Sequence, residues 1–167
     1  STKNCPERLK YRNFLIVGGV GFVGRHLVAA LAARGASVTV PTRRRERAKH
    51  LIMLPTVDVV EADLRDPAVL ASLAAGRDAV VNLAGILHGP DFKAAHVELA
   101  QAVVNACHSA GVKRLLHMSA LGADPAAPSA YLRSKGVGER AVLAADDLET
   151  TVFRPSGVFG PDDHFLN

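Results

Sequence analysis

Cysteine is scarce in this chain, with only Cys5 and Cys107 in 167 residues. Two thiols with no C-x-x-C pair cannot build a disulfide framework, so reduced cysteines are the expectation. The seven histidines include no H-E-x-x-H or paired-ligand spacing, and no metal site is expected. No apolar run approaches the roughly 18–20 residues of a membrane span, so no transmembrane segment is expected. Low-complexity blocks and internal repeats are also missing, which argues against a disordered tail, a fibre or a solenoid. Ser1 to Asn13 is polar and mixed in charge, unlike a secretory signal, and the absence of an initial Met reads as processing or trimming. The resulting expectation is a cytoplasmic chain, with peripheral attachment to an inner membrane through a partner left open.

What is present suits one globular domain with a sizeable core: 49% hydrophobic and 22% charged residues. The net charge of +4 comes from a single place. Arg43 to Lys49 holds five bases and one acid, and the rest balances at fifteen of each. A chain that is neutral elsewhere is not a nucleic-acid-coating protein. The cluster needs its own explanation.

Short apolar runs alternate with helical stretches. Strands are expected at Asn13–Gly18, Ala36–Val40, Val57–Glu61, Asp78–Asn82, Lys113–Met118 and Thr150–Arg154. A helical stripe runs through Val23, Leu27, Ala30 and Leu31, with Gly35 as its stop, and further helices are expected near 43–52, 67–75, 92–110 and 129–145. Strict alternation implies parallel strands with right-handed crossovers. The fold class is therefore α/β, a Rossmann-type doubly wound sheet of order 3-2-1-4-5-6 with helices on both faces. The domain division expected is an extension over 1–12, a dinucleotide-binding domain over 13–160, and the start of a substrate lobe over 161–167.

The first strand runs into Gly18-Gly19-Val20-Gly21-Phe22-Val23-Gly24. Gly18 permits the tight turn, Gly21 lets backbone approach a pyrophosphate, and Gly24 allows close helix–strand contact. The helix N-terminus then offers unpaired N–H groups to phosphates. Phe22 and Val23 belong to the same cofactor-binding set. A merely structural turn is the alternative.

About 20 residues on, an NAD site usually has an acid for the ribose 2′-OH. Here Val40-Pro41-Thr42-Arg43-Arg44-Arg45 stands instead. An arginine there can pair with a 2′-phosphate, which favours NADP(H) over NAD(H), with Arg43 the first contact and Arg44 the second. A solvated helix face, or docking on acidic lipid or a partner, remains open. Further along, Asp63 can accept from the adenine amino group and Leu64 can cover the ring, although Asp63 as a turn or cap residue is nearly as good a reading. Ala84 and Gly85 end the fourth strand with small side chains that leave room for a cofactor. His88 is read as a surface histidine.

Ser119 closes the fifth strand, and twelve residues later comes Tyr131-Leu132-Arg133-Ser134-Lys135. Residues four apart on a helix share a face. A lysine there would lower the phenol's pKa and let Tyr131 act as general acid or base in carbonyl–alcohol interconversion. Ser119, Tyr131 and Lys135 are thus the catalytic candidates, with Ser119 bonding the same carbonyl oxygen and Lys135 also holding the nicotinamide ribose.

The glycine turn, Ala62-Asp63-Leu64, Asn82-Leu83-Ala84-Gly85, Ser119, the Tyr131/Lys135 pair and Phe153-Arg154-Pro155 together resemble the extended short-chain dehydrogenase/reductase superfamily. More narrowly, three segments are similar to the NAD(P)H-binding accessory subunit of respiratory complex I and its bacterial homologues: Val40 to Ala48, His117 to Asp124 with Tyr131 to Lys135, and Val152 to Pro161. The resemblance implies a tightly held NADP(H) in a structural or regulatory role, with complex I subunits as partners. It places the cofactor on Gly18, Gly21, Gly24, Arg43, Asp63, Tyr131 and Lys135, and Pro155 at the nicotinamide end. Val17 departs from the threonine often found before the first glycine, the loop after His88 is short, and no substrate lobe follows. An active oxidoreductase or nucleotide-sugar epimerase/dehydratase, and a redox-sensing regulator, are the competing functions.

Overall fold

The computed structural model describes residues 9–157, and the expectations for residues 1–8 and 158–167 lie outside them. Six strands, β1 (Asn13–Val17), β2 (Ser37–Thr42), β3 (Val57–Glu61), β4 (Ala79–Asn82), β5 (Arg114–Met118) and β6 (Glu149–Phe153), form one sheet in the order 3-2-1-4-5-6. Every pairing is parallel. The helices are α1 (Phe22–Ala33), α2 (Lys49–Ile52), α3 (Pro67–Ala74), α4 (Leu99–Ala110) and α5 (Ala130–Leu143).

β1 is apolar on both faces because both faces are covered. Phe14 and Ile16 pack with Val28, Val38, Val59 and Leu51 on one side. Leu15 and Val17 pack with Leu70, Val103, Cys107, Leu115 and Val142 on the other. The alternation is the two-residue period of a strand. Burial pushes the Cys107 thiol up to about 11, so it is an inert core group. None of the described helices is long and apolar enough to cross a membrane.

The structure differs from the sequence expectation at two connections. The segment 43–52 is not one helix. Thr42 Oγ1 accepts the Arg44 amide and donates to the Arg44 carbonyl, each at 3.2 Å. This turn holds Arg43 and Arg44 outside a short 3₁₀ turn, Arg45–Ala48, that leads into the single turn of α2. The stretch 92–110 opens with a π turn at Lys93–Glu98 before α4 begins. β2 also runs past Val40 through Pro41. Its pairing with β1 ends at Thr39 while pairing with β3 continues to Thr42. Proline, which has no N–H to donate, therefore sits beyond the stretch that is paired on both sides.

Candidate functional site

The residues at the carboxyl ends of β1, β2, β4 and β5 lie along one edge of the sheet, the edge outside which ligands of open parallel sheets bind. At β1 the chain turns so tightly that side chains do not fit. Gly18 has φ +80°, and a Cβ there would lie 2.7 Å from the Ala84 nitrogen. A Cβ on Gly24 would meet the Gly18 carbonyl oxygen at 2.3 Å. Gly21 adopts extended backbone as the residue before α1, and no side chain caps that helix end. Its first-turn amides, those of Phe22 and Val23 included, are thus left for a phosphate. The Phe22 ring is engaged along the helix with His26 and Arg25. The glycines thus let backbone pack on backbone at the turn, and they leave the uncapped N-terminus of α1 bare of side chains, which fits the pyrophosphate of a dinucleotide.

Arg43 and Arg44 are exposed at the end of β2. Asp63 is near enough to feel the Arg43 charge, yet it is held by Arg65. The Arg65 backbone N–H donates to it at 3.0 Å and the guanidinium at 2.8–3.1 Å, keeping the carboxyl down at about 2. The turn reading of Asp63 matches this geometry, whereas the helix cap belongs to Asp66, which accepts the Ala68 amide. Leu64 is half-buried against the core. The sequence reading did not single out Arg65.

On the far side, Asn82 Oδ1 accepts the Ala84 amide at 3.1 Å, shaping the wall at Ala84 and Gly85. A Cβ on Gly85 would lie 3.3 Å from His96 Nε2 and 3.7 Å from Lys135 Nζ. Lys135 is 5% exposed. Its ammonium donates to the Met118 carbonyl at 2.7 Å, and burial draws its pKa down to about 8 although Glu139 opposes the shift. Tyr131 is half-buried on the same helix face.

The Tyr131 pKa moves opposite to the expected lowering. Burial raises it above the ordinary phenol value, and one Lys135 N–H goes to the Met118 carbonyl. Ser119 is 2% exposed. Its amide donates to the Phe153 carbonyl at 2.7 Å, prolonging the β5–β6 pairing. This turns the hydroxyl inward, where it makes no close hydrogen bond but lies near Glu139 and helps lower that carboxyl. Ser119 is therefore buried beside Glu139. The Pro155 carbonyl accepts the Leu121 amide at 2.9 Å, which ties the segment after β6 to the loop after β5.

Sequence reasoning missed a buried polar layer behind these groups. Asn82 and His117 meet at 3.3 Å. Glu139, 4% exposed, forms an ion pair with Arg154. His96 is 3% exposed and bonds both Ile86 and Ser134. Glu139 was reachable, since it follows Lys135 by four residues on the face already identified. His96 had no signal, because an isolated histidine in a helical stretch carries none.

The family model described as NAD(P)H-binding matches residues 18–163. The mouse mitochondrial NADH dehydrogenase [ubiquinone] 1 alpha subcomplex subunit 9 is 34% identical over 159 residues, covering 91% of this chain and 42% of the relative. Ceramide reductase of Caulobacter vibrioides is 36% identical over 151 residues, covering 89% of this chain and 47% of the relative. The chain thus spans less than half the length of both. A UDP-glucuronic acid 4-epimerase from Bacillus cereus, solved with NAD, superposes with a TM-score of 0.78 at 22% identity, over 89% of this chain and 58% of that one. That likeness is one of fold. With the glycine turn at the end of β1 and a family model covering most of its length, the chain belongs to the NAD(P)H-binding family.

Proposed function

We propose that this chain holds NADP(H), in preference to NAD(H), as an accessory or assembly subunit of a complex-I-type NADH dehydrogenase, with little or no turnover of its own. The observation that supports the low-turnover reading is a half-buried Tyr131 phenol raised by burial, while the neighbouring Lys135 ammonium gives one N–H to the Met118 carbonyl. A phenol so placed stays protonated near neutral pH and is a poor general base for alcohol oxidation. The similarity to the mouse subunit supports the complex-I role.

Gly18, Gly21, Phe22, Val23 and Gly24 would hold the pyrophosphate, and Arg43 with Arg44 the 2′-phosphate. Asp63 and Leu64 would border the adenine. Ala84, Gly85, Tyr131, Lys135 and Pro155 would border the nicotinamide end. A bound nicotinamide supplies hydride exchange, and every other task falls to these side chains and amides. The domain reading stays at 13–160. Attachment to an inner membrane would run through partner subunits, since no described helix spans one.

A second reading has its own support. Tyr131 and Lys135 share one face of α5, and one relative is named a ceramide reductase. An active oxidoreductase or epimerase/dehydratase using Tyr131, Lys135 and Ser119 would follow.

Isolation of the full protein from native membranes and cytosol in mild detergent separates the two readings. Co-migration with complex I subunits is the expected result. A free species that reduces a carbonyl substrate, and loses that activity in Tyr131→Phe, would overturn the accessory role.

A further inference from the structure

We infer that His96 is the positioning residue that couples the wall at Ala84–Ile86 to the turn of α5 carrying Tyr131. The inference deepens the dinucleotide-binding reading and rests on it.

The direction of the hydrogen bonds is set by chemistry. The Ile86 amide can only donate, and it points at His96 Nε2 at 3.0 Å. Nε2 must then be bare, so the proton sits on Nδ1. Nδ1 lies 2.8 Å from Ser134 Oγ and donates to it. The Ser134 hydroxyl in turn donates to the Tyr131 carbonyl at 2.8 Å. One unidirectional chain thus runs from this wall, through the imidazole, to the residue read as a nicotinamide neighbour.

Packing fixes the ring in the same place. Phe92 stacks on it at 5.5 Å, and the Tyr131 ring meets it edge-on at 5.4 Å and 85°. Gly85 leaves only 3.3 Å between a Cβ and Nε2. The π turn that carries His96 packs so tightly on α5 that a Cβ on Gly138 would lie 2.0 Å from the His96 carbonyl oxygen. Such turns are frequent at functional sites. A core leucine would fill this volume but would leave the Ile86 amide buried and unpaired. Burial and the nearby Lys135 charge keep the imidazole neutral, with a pKa of about 4.

The test uses the full chain without dinucleotide, with ¹⁵N shifts of the imidazole and the resonances of the Ile86 amide and Tyr131 ring. In Ser134→Ala the imidazole should keep the Nδ1–H tautomer that the Ile86 amide enforces, but Nδ1–H loses its acceptor, so the Nδ1, Ile86 and Tyr131 signals should all move. In His96→Phe, NADPH affinity should fall about tenfold, with partial recovery in His96→Gln, whose amide offers one donor and one acceptor. Unmoved Ile86 and Tyr131 signals in Ser134→Ala overturn the coupling. That result is readable even if His96→Phe does not fold. Failure of the unaltered chain to bind NADPH would instead remove the dinucleotide reading, while the resonances still decide the coupling.

Discussion

Gly24→Ala is expected to destabilise the chain by about 3 kcal/mol and to weaken dinucleotide binding by tenfold or more. The added Cβ would sit 2.3 Å from the Gly18 carbonyl oxygen and 2.6 Å from the Gly19 Cα. Both obstacles are backbone, so no side-chain rotation relieves the contact. Either α1 moves off the end of β1, or the turn at Gly18 opens. Each response displaces the helix amides from the pyrophosphate position. The usual gain from replacing a helical glycine, up to about 1 kcal/mol, does not offset this. Gly35→Ala is the control, since it has φ +78° but nothing within 4 Å of a Cβ. It should lose about 1 kcal/mol to backbone strain and bind as before. Urea unfolding and NADPH titration of both variants check the difference. A Gly24→Ala chain with unchanged stability and affinity would remove the glycine turn from the account.

Acid should weaken the fold well above the range in which carboxylates titrate. His96 and His117 are both buried, and burial together with the Lys135 charge draws each down to about 4 from 6.5. Between those values the unfolded chain takes up protons that the folded chain refuses. Stability is therefore intact above pH 6.5 and falls as the pH drops toward 4. Each histidine contributes at most about 3 kcal/mol to this loss, at 1.36 kcal/mol per pKa unit. The two are coupled, because His117 also feels His96 and Glu139, so the losses need not add. Lys135 has the same sign at the other end. Its folded value of about 8 lies below the ordinary 10.5, so stability rises with pH between them. Urea midpoints at pH 7.5 and pH 5 should differ clearly, and His117→Gln should flatten the slope. Equal midpoints at the two pH values would contradict the burial of neutral imidazoles.

The fold was legible because its signals are local and redundant. The apolar run at Asn13–Val17, the glycines at 18, 21 and 24, and the regular alternation that follows all imply the same sheet, and the strand order matches. The Arg43–Lys49 segment misled because its bases fit a helical face, whereas Thr42 folds the backbone at Arg44 into a turn. The Tyr131/Lys135 pair was legible as a shared face but not in its electrostatics. The partner of Lys135 is a carbonyl on β5, seventeen residues away in sequence. The contacts of His96, Asn82 and His117 were invisible for the same reason. Their partners lie ten to thirty-eight residues away, and only folding brings them together.

Paired titrations of the full chain with NADPH and NADH test the central claim most directly. The exposed arginines at the end of β2, where an NAD site would carry an acid, predict tighter binding of NADPH by tenfold or more. Arg43→Ala should erase most of that margin and leave NADH affinity nearly unchanged, because a charge-assisted contact to phosphate contributes about 1.5–3 kcal/mol. Equal affinity for the two dinucleotides, or an Arg43→Ala chain that keeps its preference, would contradict the account.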